Sequence, residues 1–250
     1  SPNISSTDYS GKDEYFFRVF GPNDAQVRTL AEEALRRGKK TAAVVIKMMN
    51  HAYTRAVSEG FRSTFESGGG IVHTPHPITD SKTQDFNALA DALINEQPDL
   101  ILCAASSFEL ASIRQALARK GRQIQVFGTK WARTPDLMVF GGRTVEDVVL
   151  VSGMDMTSDS PKMARFRKAY ATRYGEDPVF SAMYGYEAMQ ILAEAIRTAG
   201  KTDGPAIKQA LLSARSYEGL YHEIVFDQYG DTVRPHYLYQ VRNGAFVRLP

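Results

Sequence analysis

The sequence has 250 residues, 43% of them hydrophobic and 23% charged, with a formal net charge of +2. That length supports one large or two modest globular domains, and the charge is too small to point to nucleic acid or an anionic membrane. No apolar run reaches the roughly 18 residues of a membrane-spanning helix, and no charged segment leads into an apolar one as in a secretory leader.

Ser1 to Ser10 reads as a polar loop. Tyr15–Phe20 is β-prone and is expected to form a strand ending at Gly21-Pro22. A helix follows, capped by Asn23 or Asp24, with Val27, Leu30, Ala31, Ala34 and Leu35 on one face, and it stops at Gly38. Thr41–Ile46 is a short β-branched apolar run, the pattern of a strand buried on both faces of a parallel sheet. Tyr53, Val57, Phe61 and Phe65 are then four apart, on one helix face. The loop between them lies at the carboxyl end of a parallel strand, the edge where open α/β sheets bind small ligands. Tyr53 is therefore the first functional candidate.

Gly68-Gly-Gly70 closes this helix and precedes the strand Ile71–Thr74. A phosphate loop has the opposite order, so the glycines are expected to reverse the chain. His73 and His76 fall on opposite faces of an extended segment with no Cys or acidic partner, and His51, His222 and His236 are isolated, so no metal site is expected. The alternation continues through a helix with Phe86, Leu89, Ala90, Leu93 and Ile94, then a strand at Pro98–Cys103. Cys103, the only cysteine, is expected to pack in the core and leaves no internal disulfide. Ser106 or Ser107 caps a helix with Leu110, Ile113 and Leu117 that ends at Gly121, and strands follow at Ile124–Phe127 and Val148–Val151. Strands and helices alternating at roughly 30 residues per unit mean a doubly wound parallel sheet.

Beyond Gly153 the pattern is helical. One helix starts at Ser160-Pro161, with Met163, Phe166, Tyr170 and Tyr174 on one face, and ends at Gly175. A second, from Phe180 to about Thr198, is apolar almost all round and is expected to be buried. A third spans Ala206–Ala214. The chain ends in strands at Glu223–Phe226, His236–Val241 and Ala245–Leu249, the last two joined by the hairpin signal Asn243-Gly244. The helices have no sheet of their own to cover, so the chain is expected to be a piece of a larger fold. No GxSxG, GxGxxG or phosphate-loop motif occurs, which leaves an α/β enzyme as a remote alternative.

The order of several short motifs resembles the type I periplasmic binding proteins, of the leucine/isoleucine/valine-binding class that serves ABC transporters. They are Phe16-Phe-Arg18 with Pro22-Asn-Asp24, Ala52-Tyr53, Gly69-Gly70-Ile71-Val72, Asp85-Phe86, Pro98-Asp99, Arg114-Gln115-Ala116, Tyr186-Glu187-Ala188 and Phe226-Asp227 with Gly230-Asp231. The resemblance implies two Rossmann-like lobes with doubly wound parallel sheets joined by a hinge, and a ligand in the cleft between them. It divides the chain into a cleft loop and hinge strand (1–20), a second lobe (21–151), a helical part of an incomplete first lobe (152–225) and returning strands (226–250).

What the resemblance implies for the site follows residue by residue. Ser1-Pro-Asn-Ile-Ser5 matches the cleft loop that holds a ligand carboxylate, so Asn3 and Ser5 are expected there, Ser5 as the hydroxyl. Tyr53 matches the aromatic that packs over the ligand, although Thr54 replaces the glycine usual after it. Ser106 stands where another aromatic often lies. Lys130 stands near the usual carboxylate partner of a ligand ammonium, which points to a ligand without one, an aromatic or aliphatic acid; the competing reading is a lysine facing solvent. Trp131 either stacks on a ring or covers the loop. Phe180, Ser181 and Tyr184 either line the cleft or pack in the core. The resemblance implies a periplasmic or extracellular receptor that binds a small carboxylate or amino acid and serves a membrane permease, with no cofactor. A sensor domain of the same fold is the alternative.

Overall fold

In the structure, a computed structural model, Thr41–Lys47 (β1) is the strand buried on both faces that its composition suggested. Its side chains alternate between two apolar layers: Ala43 and Val45 enter one, Ala42, Val44 and Ile46 the other. Such two-sided burial is the reason a parallel strand reads as a continuous apolar run. The structure describes residues 1–2, 4, 7–21, 23–214 and 216–250. The expected site residues Asn3 and Ser5 lie outside them, as do the side chains of Asn23 and Asp24 that were to cap the first helix.

The chain forms two units, residues 23–152 with 236–250 and residues 1–22 with 153–235. The first holds a sheet in the order β10-β9-β6-β5-β4-β1-β2, with β3 also paired to β1. Its strands are β1, β2 (Ile71–Val72), β3 (His76–Ile78), β4 (Leu100–Ala104), β5 (Gln125–Gly128), β6 (Val149–Ser152), β9 (Tyr237–Arg242) and β10 (Ala245–Arg248). Helices α1 (Asn23–Arg36) and α2 (His51–Ser67) cover one face. There Leu30, Ala34, Val57, Phe61 and Phe65 meet the even-numbered side chains of β1 and β4, and Phe61 stacks on Phe65 with ring centroids 5.2 Å apart. Helices α3 (Phe86–Asn95), α4 (Ser107–Arg119) and α5 (Asp136–Gly141) cover the other with Leu89, Leu93, Leu110, Ile113, Leu117 and Leu137.

Two details of this unit depart from expectation, and a third matches it. The sheet is mixed, because β9 runs antiparallel to β6 and β10 antiparallel to β9. The strand expected at Ile71–Thr74 is shorter, ending at Val72, and a separate strand, β3, follows Pro75; β2 pairs with the start of β1 and β3 with its end. The hairpin at Asn243-Gly244 forms as expected, with φ of +53° and +71° at the two turn residues, the geometry in which such a turn matches strand twist.

The second unit is helical: α6 (Pro161–Tyr174), α7 (Phe180–Ala199) and α8 (Gly204–Ser213), with a two-stranded ladder of β7 (Tyr217–Glu218) and β8 (Glu223–Ile224). Ser160 caps α6 by accepting a hydrogen bond from the Met163 N–H, and Gly175 ends it at φ +74°. The strand expected at Tyr15–Phe20 is absent. Its backbone instead makes single bonds, Arg18 N–H to the Gly230 carbonyl and Val19 N–H to the Ser1 carbonyl, while Val19 and Phe20 enter the core. The buried α7 also needs correction. Met183, Tyr184, Glu187, Ile191 and Ala195 are buried, but Met189 is 64% exposed and Leu192 and Tyr186 are exposed as well. A carboxylate holds the buried face: Glu187 accepts from Arg234 at 2.6 Å and from the Leu220 N–H at 2.8 Å.

Candidate functional site

The candidate site is built on the carboxyl ends of β1, β4 and β5, adjacent strands whose following segments carry Tyr53, Ser106 and Lys130. Doubly wound sheets gather loop side chains at that edge for topological reasons. After β5, Thr129 begins a single 3-10 turn, Lys130–Ala132, and its hydroxyl accepts from the Trp131 N–H at 3.4 Å. Gly128 precedes it because a Cβ there would lie 2.7 Å from side-chain carbons of both Leu110 and Leu150. The far end of the turn is held by Arg133, whose guanidinium carbon sits 3.9 Å from the Tyr239 ring centre and 4.9 Å from that of Phe246. The hydroxyls of Ser107 and Thr134, 2.9 Å apart, tie the same turn to α4. The turn is thus anchored on three sides.

Tyr53, in the first turn of α2, meets it edge-on: the Tyr53 and Trp131 ring centroids are 6.1 Å apart at 77°. The Lys130 ammonium lies 5.9 Å from the Tyr53 ring centre. The Tyr53 and Thr129 hydroxyls share a hydrogen bond, and burial pushes the phenol up to about 12, so it remains protonated across the physiological range. Lys130 is 7% exposed, which removes the solvent-facing reading. Burial pushes its ammonium well below its ordinary range. Burial disfavours the charged form of the amine, and a ligand anion beside it would favour that form again.

Ser106 is otherwise engaged. It caps α4, and Glu109 accepts both its N–H, at 3.1 Å, and its hydroxyl hydrogen. Glu109 also accepts from the Ser81 hydroxyl and lies 3.5 Å from the Lys47 ammonium, which itself donates to Ser81. Burial alone would raise the Glu109 carboxyl; the Ser106 and Ser81 bonds and the charge of Lys47 outweigh it and hold the group below the usual carboxylate range. Phe180, Ser181 and Tyr184 belong to α7 in the other unit. Phe180 and Ser181 are partly buried, whereas Tyr184 lies in the core edge-on to Phe20 at 5.1 Å and under Arg234 at 5.2 Å.

The structure therefore brings together Tyr53, Lys130 and Trp131. Sequence reasoning missed Thr129, Arg133 and the trio Lys47, Ser81 and Glu109, of which Lys47 and Glu109 are buried. Only the capping pattern Ser106-x-x-Glu109 was readable as a signal. The others depend on strand order, which no local pattern carries.

No helix among the described residues is long and apolar enough to cross a membrane, and no cluster of metal-ligating side chains occurs among them. The chain is 22% identical over 247 residues to the Leu/Ile/Val-binding protein homolog 1 of Brucella abortus, a match covering 98% of this chain and 66% of that protein, a little under two thirds of its length. It shares its fold with a leucine-binding protein, LivK, of Thermotoga maritima (TM-score 0.86, 24% identity, covering 97% of this chain and 69% of that one). It shares it equally with an ABC-transporter solute-binding protein of R. palustris solved in complex with benzoate (TM-score 0.86, 19% identity, covering 99% and 69%). A family model described as periplasmic binding protein matches residues 2 to 245, and the chain belongs to that family.

Proposed function

We propose that the chain is the major part of a periplasmic solute receptor of an ABC transporter, and that its ligand is a small carboxylate drawn to Lys130. The observation that carries this reading is a buried lysine placed at the Tyr53–Trp131 pair. A lysine so placed favours a partner that brings negative charge on an apolar or aromatic body, and it disfavours one that brings an ammonium. The R. palustris protein of the same fold holds benzoate, a ligand of this class. The receptor would hand its ligand to a membrane permease without altering it.

A branched-chain amino acid is the second reading, favoured by the names of the Brucella and Thermotoga relatives. Calorimetric titration of the full-length protein with benzoate, short aliphatic acids, leucine and isoleucine separates the two. The acids are expected to bind more tightly, and Lys130→Glu is expected to weaken them by at least about tenfold, as reversal of a desolvated charge does. Tighter binding of leucine than of any simple acid by the unmodified protein overturns the carboxylate reading.

A further inference from the structure

Thr54 is fully buried, and its hydroxyl donates to the Lys47 carbonyl at 3.1 Å. That bond spans the segment joining β1 to α2. The segment has few other ties: neither the 3-10 turn Met48–Asn50 nor α2 itself has a side-chain cap at its start. The acceptor end, by contrast, is immobilised. Lys47 pairs in register with Ile78 of β3, and its ammonium is fastened to Ser81 and Glu109, the latter bound to the start of α4. Tyr53 immediately precedes Thr54, and its phenol is tied at the other end to Thr129.

We propose that Thr54 is a positioning residue for ligand recognition, fixing the Tyr53 ring against Lys130 and Trp131 by clamping the first turn of α2 onto Lys47. The proposal rests on the reading that Tyr53 faces the ligand. A valine has nearly the shape of threonine but cannot make the bond, so the first turn of α2 loses its link to β1 while the core stays filled. The aromatic wall then has to be ordered by the ligand itself, which lowers affinity.

The test uses the full-length protein with Thr54→Val, Thr54→Ala, Thr54→Ser and Tyr53→Ala, titrated with benzoate and with isoleucine. Trp131 emission, read against a Trp131→Phe blank, reports the geometry of the ring pair, and thermal melting reports the fold. Thr54→Val is expected to weaken whichever ligand binds by about five- to tenfold and to shift Trp131 emission, with Thr54→Ser restoring both. Affinity within twofold for Thr54→Val, alongside a large loss for Tyr53→Ala, overturns the positioning role and leaves the site reading standing. Unchanged affinity for Tyr53→Ala removes the site reading itself. If neither Thr54→Val nor Thr54→Ala folds, Thr54 serves stability alone and the positioning role is overturned.

Discussion

Tyr53, at the start of α2, and Lys130 and Trp131, in the turn after β5, are some 75 positions apart, yet they meet because β1 and β5 flank β4 in the sheet. Replacing Tyr53 by alanine is expected to cost about 1–3 kcal/mol of ligand affinity, measured by calorimetry, since aromatic anchors dominate contact energy in such sites. Glu109 permits a pH prediction. Its carboxyl is depressed in the folded state, so it contributes stability above its unfolded value, near 4.3, and loses that contribution as pH falls through the lower folded value. Glu109→Gln should therefore flatten the acid limb of melting temperature against pH. An acid limb as steep as that of the unmodified protein would remove Glu109 from it. At this scale the sequence was legible where chemistry is unusual for its position, as with the aromatic Tyr53 at a strand end. It was silent on Lys47, since a lysine ending a strand has the same letters whether it meets water or a buried glutamate.

Elements were the most legible level, because their signals are local. The β-branched run of β1, the four-residue spacing of α2 and the Asn243-Gly244 turn all formed where the pattern put them. Gly244, at φ +71°, should lose about 1 kcal/mol of stability on conversion to alanine, seen as a lower urea midpoint with an unchanged slope. The failures were equally physical. Tyr15–Phe20 has strand composition but meets no complete ladder, and α7 has apolar residues on more faces than its unit covers. What secures α7 is polar: the Glu187–Arg234 pair has both side chains 1% exposed. Glu187→Ala should cost about 3–5 kcal/mol, because it leaves a buried guanidinium without its counter-charge. Chemical denaturation checks it, and a loss below 1 kcal/mol would show the pair to be dispensable.

The whole molecule passes its chain between the two units three times, after residues 22, 152 and 235. A binder present at 100 times its Kd should raise stability by about 2.7 kcal/mol. A thermal-shift screen of acids against amino acids would find it. Cys103 bears on a different experiment. It is fully buried in β4, and burial pushes its thiol far above the ordinary range, so the native protein offers alkylating reagents no thiolate in these 250 residues. The polypeptide is consequently a blank background for site-directed labelling. Cysteines introduced at Val139 and Val233, 76% and 92% exposed and one in each unit, would accept a donor and an acceptor dye without removal of the native thiol. Energy transfer between them would then report, molecule by molecule, whether a bound ligand changes the distance between the two positions.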